Sequence, residues 1–315
     1  MKFPLTLSIC LLLLSLVCGT NCFAEDITVA FWNVENLFDN RMDRRSSRED
    51  LFTPSELREK LRKDGEILKE LNADIVGLME VENRGILQQL NKEELSELGY
   101  HYVALMDESD ERGIDVALLS RFPVLCQSVP VPGFYRGLLV ARVVVSGRPL
   151  YVVVNHWKSR YGGGEGQRMA CSQTLIQLVS QTIPEMEGTH DVFIIAGGDF
   201  NDNDTDESVV HLEEQGLTNH LKHLPLDQRW TLPYDNREEF RVEFDSFDHI
   251  FTNQANEAAT GIQLLSATVV RPERMLTTRR LYGKDYLWPD DDQIGHIGYS
   301  DHFPVVAKLR VTPKQ

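Results

Sequence analysis

Residues 27–36 read Ile-Thr-Val-Ala-Phe-Trp-Asn-Val-Glu-Asn, an apolar run that ends abruptly in amides and a carboxylate. A short apolar run bounded by polar residues is typical of a buried strand. We therefore predict a strand over Ile27–Trp32, with the polar cluster Asn33-Val34-Glu35-Asn36 at the edge of a sheet. Loops that follow strands are rigidly placed, and functional side chains often lie on them.

The same pattern recurs along the chain. Apolar runs also end at Glu80, at Asn155-His156 and at Asp199-Phe200-Asn201, and two late segments, Asp248-His249 and Ser300-Asp301-His302, resemble them. Each segment is ambiguous alone, because a strand-end carboxylate is usually a solvated turn or a helix cap. Their ordered combination indicates a single convergent site.

Helices and further strands occupy the intervening sequence. Thr53-Pro54-Ser55-Glu56 has the capping-box spacing, with Pro at the first helical position, and leucines 57, 61, 68 and 71 share one helical face. The other predicted elements are helices over about Gly85–Leu98 and Gln167–Thr182, and strands over Asp74–Met79, Tyr100–Leu105, Asp115–Ser120, Leu138–Val145, Tyr151–Val154, Val192–Ala196, Phe247–Phe251 and Pro304–Val311. This interspersed order predicts an α/β fold, a four-layer α/β/β/α sandwich of two mixed β-sheets with outer helices.

The first residues have the pattern of a secretory signal peptide. Met1-Lys2 precedes an apolar run over Leu5–Cys18, and a small residue, Ala24, precedes polar sequence. The run is shorter than the roughly 20 apolar residues of a membrane span, so an uncleaved anchor or a buried first helix is the lesser alternative. A lipid-modified Cys18 is another alternative, which the bulky Val17 before it disfavours. We predict a signal peptide over residues 1–24 and a single domain over 25–315. The expected product is a secreted or periplasmic monomer without a transmembrane segment.

Charge and cysteine content narrow the functional class. The net charge of −16 becomes −17 when Lys2 is removed, which argues against a basic protein that coats DNA. A metal enzyme remains compatible, because a bound metal supplies local positive charge. Of the five cysteines only Cys126 and Cys171 follow the predicted signal peptide, and these two either form one disulfide or stay free.

The polar strand ends supply the groups that phosphate-ester hydrolysis requires. Glu80 is a hard oxygen ligand of the kind that binds Mg²⁺, Mn²⁺ or Ca²⁺. A histidine can take a proton from water near neutral pH. Asn33, Asn201 and a protonated His156 are suited to stabilise the charge that develops on the phosphoryl oxygens.

The motifs together resemble the endonuclease/exonuclease/phosphatase superfamily, in particular its secreted bacterial nuclease-like branch. The resemblance covers nearly the whole chain after residue 24 and implies the deoxyribonuclease I-like β-sandwich. It rests on Trp32-Asn33-Val34-Glu35-Asn36-Leu37-Phe38, Gly77-Leu78-Met79-Glu80-Val81-Glu82-Asn83, Asn155-His156, Gly198-Asp199-Phe200-Asn201, Phe247-Asp248-His249-Ile250-Phe251 and Ser300-Asp301-His302-Phe303-Pro304-Val305.

The resemblance implies a role for each matched residue. Metal binding falls to Glu80, with Asn33 beside it and Asp301 as a second acidic residue. His302 is the implied base, and Asp248 is the carboxylate that orients it. Asp199 and Asn201 orient the attacking water and contact the phosphate. His156 is the second catalytic histidine, with Asp115 as its carboxylate partner. Asn155 and Arg168 are the expected substrate-binding residues; Arg168 ends a glycine-rich stretch, residues 161–168, which is either a substrate loop or only a flexible connection.

These features predict an exported, divalent-metal-dependent phosphoesterase that cleaves phosphodiester bonds with histidine-activated water. A nuclease is the leading hypothesis, with Mg²⁺ as the expected cofactor and nucleic acid as the partner. The basic residues Lys158, Arg160 and Arg168 near His156 favour it. The alternative is a phosphodiesterase or phosphatase that acts on a lipid or a small sugar phosphate, which the acidic net charge favours. A binding module on an inactive scaffold is a third reading, and loss of metal binding would support it.

Overall fold

The structure is a computed structural model that describes residues 23–41, 52–106, 112–291 and 297–314. Residues 1–22, which make up most of the predicted signal peptide, lie outside the described residues. The first strand begins at Glu25, the residue after the predicted cleavage position. Within the described ranges, no helix combines the length and the apolar character needed to cross a membrane.

The chain forms the following strands and helices. The strands are β1 (Glu25–Leu37), β2 (Ile75–Val81), β3 (Tyr102–Leu105), β4 (Asp115–Ser120), β5 (Val124–Val129), β6 (Leu138–Val145), β7 (Arg148–His156), β8 (Phe193–Asp199), β9 (Thr218–Asn219), β10 (Leu232–Asn236), β11 (Arg241–Asp245), β12 (Asp248–Thr252), β13 (Ile262–Val269), β14 (Leu276–Leu281), β15 (Lys284–Pro289) and β16 (Val305–Val311). The helices are α1 (Pro54–Leu71), α2 (Arg84–Glu93), α3 (Glu165–Gln177), α4 (Ile183–Glu187), α5 (Glu207–Glu214), α6 (Leu226–Arg229) and α7 (Glu257–Thr260), and a π-helical turn (Leu178–Thr182) joins α3 to α4.

Two six-stranded mixed sheets pack face to face. The first has the order β13-β16-β1-β2-β4-β3 and the second β5-β6-β7-β8-β12-β9. Strands β1 and β2 of the first sheet contact β7 and β8 of the second, α1 and α2 contact the first sheet, and α3 lies against the second. The four-layer α/β/β/α sandwich predicted from the sequence is thus confirmed.

Local sequence explains the start of the first outer helix. Thr53 Oγ1 accepts a hydrogen bond from the backbone N–H of Glu56, and the Glu56 carboxylate accepts one from the backbone N–H of Thr53. This confirms the predicted capping box. Leu57, Leu61 and Leu68 are buried, as their spacing predicts, so the helix buries one face against the first sheet.

Close packing between the two sheets depends on glycine. The Phe31 ring lies between Gly77 of β2 and Gly197 of β8; a Cβ at Gly77 would approach Phe31 Cδ1 to 2.8 Å, and one at Gly197 would approach Phe31 Cδ2 to 2.4 Å. Real Cβ atoms essentially never lie that close to a neighbour, so the Phe31 ring or the backbone would have to shift. The two glycines therefore set the separation of the sheets next to the strand ends.

Several elements differ from the sequence predictions. The predicted helix over Gly85–Leu98 ends at Glu93 and is followed by a separate 3-10 turn, and strands β5, β9, β10, β11, β13, β14 and β15 were not predicted. The two cysteines are both free. Cys126 packs toward the core between the sheets, whereas Cys171 belongs to the cluster between the second sheet and α3, so a sheet separates them.

Candidate active site

Strand direction brings the polar segments to one edge. In the first sheet β1 and β2 are parallel and β16 is antiparallel to β1, so residues after β1 and β2 meet the residues that precede β16. In the second sheet β7 and β8 are parallel, and Asp248, at the start of the antiparallel β12, lies opposite Asp199 at the end of β8. The predicted convergence of strand ends follows from this topology.

Glu80 projects into the cleft from a bulge. The pairing registers of β2 with β4 and of β1 with β2 shift at this point. Glu80 has a backbone φ of 64°, and Glu35, Asn36 and Asn201 also have positive φ values of 51° to 56°. Non-glycine residues in this region cost of order 1–3 kcal/mol each and cluster at functional sites. Four such residues at one strand edge indicate a site whose geometry is maintained against local strain.

The Asp199 carboxylate lies at the centre of the site. Its Oδ2 accepts hydrogen bonds at 3.1 Å from both Asn33 Nδ2 and Asn201 Nδ2, and Oδ1 accepts the Asn201 backbone N–H at 2.9 Å. His156 Nε2 lies 3.6 Å and His302 Nε2 3.9 Å from the same Oδ2. Burial raises the pKa of Asp199 to about 7, and positive charge on His302 opposes that shift.

Asn33 turns its amide nitrogen toward the carboxylates of the site. Its Oδ1 already accepts the backbone N–H of Glu35 at 3.0 Å, and its Nδ2 faces Asp199 and, at 3.5 Å, Glu80 Oε1. Asn33 therefore acts here as a donor to two carboxylates. That Asn33 is a metal ligand stays a prediction, because the amide oxygen has a second lone pair beside the one that accepts the Glu35 N–H.

Asp248 and His302 form a buried pair. His302 Nδ1 and Asp248 Oδ2 are 2.7 Å apart, and Asp248 is fully buried. Burial by itself lowers the pKa of His302, but the charges of Asp248, Asp301 and Asp199 outweigh it and raise this pKa well above its ordinary value. With Nδ1 used by Asp248, the other ring nitrogen, Nε2, is the one that faces Asp199 and the cleft. This is the arrangement of a carboxylate-oriented general base.

His156 lies beside Glu80 and Asp199, but two expectations about it are corrected. Burial, together with the positive charges of Arg136, Arg112 and His302, lowers the pKa of His156 well below its ordinary value, so the predicted protonated form is not favoured. Its Nδ1 has no hydrogen-bond partner among the described residues, and its Nε2 faces Glu80 and Asp199. Asp115, fully buried at the start of β4, is therefore not the hydrogen-bonded partner of His156.

Asn155 is placed inside the scaffold and not in the cleft. It is fully buried; its Nδ2 donates to the carbonyls of Val153 and Gly197, and its Oδ1 accepts the Trp157 indole N–H at 3.1 Å. Since both ends of the amide are used, Asn155 holds β7 against β8. The expected substrate-binding role is corrected.

Arg168 is likewise structural. It is only 3% exposed, its Nε forms a 2.7 Å ion pair with Asp202 Oδ2, and its Nη1 donates to the carbonyls of Lys158 and Gly163. The glycine-rich stretch is thus fastened to the start of α3 by a buried arginine. Of the two readings of this stretch, Arg168 on a substrate phosphate is the one that the structure does not support.

Two arginines of the site were missed by the sequence analysis. Arg112 lies 3.6 Å from Glu80 Oε2, and Arg136, which is 3% exposed, donates to the His156 carbonyl at 3.0 Å. Both precede strands, β4 and β6, that run antiparallel to β2 and β7. The start of an antiparallel strand meets the end of its neighbour, so a search restricted to strand ends overlooks such residues. The sequence signal that could have identified both residues is an arginine shortly before a predicted strand.

These residues line a cleft of about 720 Å³. Arg112, Arg136, Lys158 and Arg160 contribute positive charge, and Glu243 and Asp245 stand among the remaining lining residues. Exposed aromatic side chains line the cleft as well: Tyr135, Tyr161 and Tyr234 are 39%, 91% and 55% exposed. The cleft thus combines buried carboxylates and histidines with positive and aromatic side chains.

The donor set fits a hard divalent cation. Glu80 and Asp301 line the same cleft as Asp199, and carboxylate oxygens are the ligands that Mg²⁺ and Ca²⁺ prefer. In the described part of the chain, Asp199, Asp248 and His302 have possible ligand atoms within 4.8 Å of one another. A hydrogen bond within that trio uses His302 Nδ1 and Asp248 Oδ2, so Glu80 and Asp301 are the better candidate ligands.

Comparison with known proteins agrees with this geometry. The model of the Endonuclease/Exonuclease/phosphatase family matches residues 28–311. A search of curated protein sequences found no match.

Solved structures with the same fold come from several sources. A humanized D. rerio TDP2 is 19% identical, with a TM-score of 0.61 and coverage of 90% of this chain and 98% of that one. D. rerio TDP2 complexed with a single strand DNA product is also 19% identical, with a TM-score of 0.58 and coverage of 90% and 98%. A Bacteroides thetaiotaomicron mannosyl-6-phosphatase is 16% identical, with a TM-score of 0.55 and coverage of 90% and 99%.

Proposed function

This chain belongs to the Endonuclease/Exonuclease/phosphatase family, and from that membership we propose that it hydrolyses phosphate esters with water activated by His302. Members of this superfamily are metal-dependent phosphoester hydrolases. The observation that carries the proposal is the buried Asp248–His302 pair at 2.7 Å, whose free ring nitrogen faces Asp199 in the cleft. A base oriented in this way accepts a proton from water as the oxygen attacks phosphorus.

Each residue of the site has a role in the proposed reaction. Asp199 Oδ2, 3.9 Å from His302 Nε2, accepts a hydrogen bond from the attacking water and orients it. After proton transfer, Asp248 stabilises the imidazolium of His302, while the ester P–O bond breaks and the departing oxygen takes a proton from solvent. A neutral His156, which carries one ring N–H, donates a hydrogen bond toward the phosphoryl oxygens as negative charge develops there. Asn33 and Asn201 hold the Asp199 carboxylate in place with their amide N–H groups.

Glu80 and Asp301 would hold a divalent cation, with Mg²⁺ as the first candidate and Mn²⁺ or Ca²⁺ as alternatives. When bound, the cation neutralises the phosphate charge and polarises its P–O bonds. Arg112 lies 3.6 Å from Glu80 and adds a second positive charge on the same side of the cleft.

A phosphodiester in nucleic acid is the first candidate substrate. Basic residues on the cleft wall match a phosphate backbone, and the exposed tyrosines 135, 161 and 234 offer faces on which bases stack. One structural neighbour was determined with a single strand DNA product. These features support a nuclease.

A phosphatase or phosphodiesterase that acts on a small sugar or lipid phosphate is the second candidate. Glu243 and Asp245 line the same cleft, and carboxylates repel the flanking phosphates of a strand but accept hydrogen bonds from hydroxyl groups. A mannosyl-6-phosphatase is among the structural neighbours. We further propose, from the pattern of residues 1–24, that the protein is exported and acts outside the cytoplasm. We also propose that it acts as a monomer.

One substrate panel tests both candidates. The purified protein is incubated with plasmid DNA, single-stranded DNA, RNA, bis(p-nitrophenyl) phosphate, a sphingolipid phosphodiester and a sugar phosphate, each with Mg²⁺, Mn²⁺, Ca²⁺ or chelator. We expect metal-dependent turnover that His302→Ala lowers by about 10²- to 10⁴-fold, and cleavage of nucleic acid that falls with added salt. Turnover of small esters without cleavage of any nucleic acid would favour the second candidate. Absence of turnover with every substrate and metal would refute the proposed activity.

A further inference from the structure

A buried charge lies behind the site, on the inner face of α1. Lys60 is 1% and Asp64 0% exposed, and the lysine Nζ lies 3.0 Å from Asp64 Oδ1. Leu57 and Leu61 flank Lys60 on the same buried face. Replacing a buried ion pair with apolar residues of similar volume is often neutral or stabilising. Stability alone therefore gives little reason for a lysine here.

The contacts of Lys60 join two segments that carry site residues. Nζ donates to the Val34 carbonyl at 2.5 Å and to the Tyr299 carbonyl at 2.8 Å. Val34 belongs to the β1-end segment, defined as residues 33–36, and Tyr299 to the base segment, defined as residues 299–302. Both hydrogen bonds that the ammonium makes therefore go to these two segments, and its contact with Asp64 is an ion pair.

The same two segments are also joined on the side nearer the cleft. Ser300 Oγ donates to the Asn33 carbonyl at 2.7 Å, and the Asp301 backbone N–H donates to Glu35 Oε2 at 3.0 Å. These bonds lie between parts of the chain more than 260 residues apart in sequence. Lys60 contacts both segments from the helix layer. The two segments are far apart in sequence, so non-covalent contacts of this kind hold them together.

We propose that Lys60 is a positioning residue, whose buried ammonium holds the β1-end segment against the base segment and so fixes His302 relative to Asn33 and Asp199. The inference rests on the proposed function for its catalytic consequence. The tether itself is a structural property that can be measured separately. Asp64 anchors the ammonium from the helix side, so that Nζ points at the two carbonyls.

Two variants separate positioning from stability. Lys60→Met removes the ammonium but leaves the Asp64 carboxyl buried, so it is expected to unfold more easily. Lys60→Met combined with Asp64→Leu removes both charges and fills the space with apolar groups, and we expect it to recover much of the lost stability. Neither variant restores a donor to the carbonyls of Val34 and Tyr299. Lys69→Met is the matched control, because Lys69 lies on the same helix in an exposed 3.1 Å ion pair with Glu94.

Three measurements are made on each protein: urea unfolding, kcat and KM on bis(p-nitrophenyl) phosphate at saturating Mg²⁺, and hydrogen exchange of peptides that cover residues 33–36 and 299–302. We expect the double variant to be stable, to exchange faster in both segments, and to lose about tenfold to a hundredfold in kcat, with KM nearly unchanged. A shift of about 1 Å in the reacting groups has an effect of that size. Lys69→Met should match the wild type in all three.

Failure of the Lys60 inference can be distinguished from failure of the proposed function. A double variant with wild-type kcat and wild-type exchange would overturn the inference, as would a loss of kcat without faster exchange in either segment. If the wild-type protein hydrolyses no phosphate ester, the proposed function fails, and the exchange of the two segments alone then decides whether Lys60 tethers them.

Discussion

Substituting Asp248 by asparagine tests the proposed base most directly. The change keeps the shape of the side chain but removes the charge that lies 2.7 Å from His302 Nδ1 in a fully buried position. An asparagine can present an N–H or an oxygen to the ring, but it cannot stabilise the imidazolium that forms during turnover. A comparable substitution in serine proteases lowers kcat about 10⁴-fold, and general-base catalysis typically contributes about 10²- to 10⁴-fold.

We therefore expect Asp248→Asn to lower kcat by about 10²- to 10⁴-fold, or about 2.7–5.4 kcal/mol at 1.36 kcal/mol per tenfold change. His302→Ala should fall in the same range. Because the two residues act as one unit, the double variant should be no slower than the worse single variant. Independent contributions would instead multiply to about 10⁴- to 10⁸-fold.

The assay is hydrolysis of bis(p-nitrophenyl) phosphate at saturating Mg²⁺ over a range of pH. The base must be neutral to accept a proton, so kcat falls below the pKa of His302. Nearby carboxylates, including Asp248, raise that pKa, so the acidic limb of the profile should move to lower pH in Asp248→Asn. Asp285→Asn, an exposed carboxylate on the β14–β15 hairpin, is the control. Near-normal kcat in Asp248→Asn, or losses that multiply in the double variant, would refute the reasoning.

Three further substitutions test Glu80 as a metal ligand, the structural role of Arg168 and the packing of Phe31 between the two sheets. Glu80→Gln should abolish metal-dependent turnover and weaken Mn²⁺ binding measured by calorimetry, while the fold persists, because it removes a charged hard ligand; unchanged metal affinity would exclude Glu80 as a ligand. Arg168→Met removes the 2.7 Å ion pair of buried Asp202, which keeps a 3.4 Å ion pair with Arg160, and should lower the free energy of unfolding measured in urea by about 1–3 kcal/mol. A raised KM at unchanged stability would instead restore a substrate role for Arg168. Gly197→Ala brings a Cβ to 2.4 Å from Phe31 and should lower the free energy of unfolding by about 1–3 kcal/mol. Adding Phe31→Leu to this variant should recover part of the lost stability.

The linear sequence was sufficient for the strands that end in site residues. Apolar runs before Glu80, His156 and Asp199 are long and clearly bounded, and the capping box at Thr53 marks a helix start by purely local hydrogen bonds. These signals depend on neighbours within a few residues, so no knowledge of the fold is needed to read them. Strands such as β13–β15 have many exposed side chains, and their pairing partners are what define them.

The sequence by itself therefore determined the sandwich of strands and the group of residues that converge, Glu80, Asp199, Asp248 and His302 among them. Only the tertiary structure decided what each group does. Asn155 and Arg168 resemble site residues in the linear sequence, but their polar atoms are used by Trp157, Asp202 and main-chain carbonyls. Conversely, Arg112 and Arg136 reach the site through antiparallel pairing, and Lys60 contacts two segments that carry site residues from the helix layer. Hydrogen-bond partners and burial depend on contacts between residues far apart in sequence, and these exist only once the chain has folded.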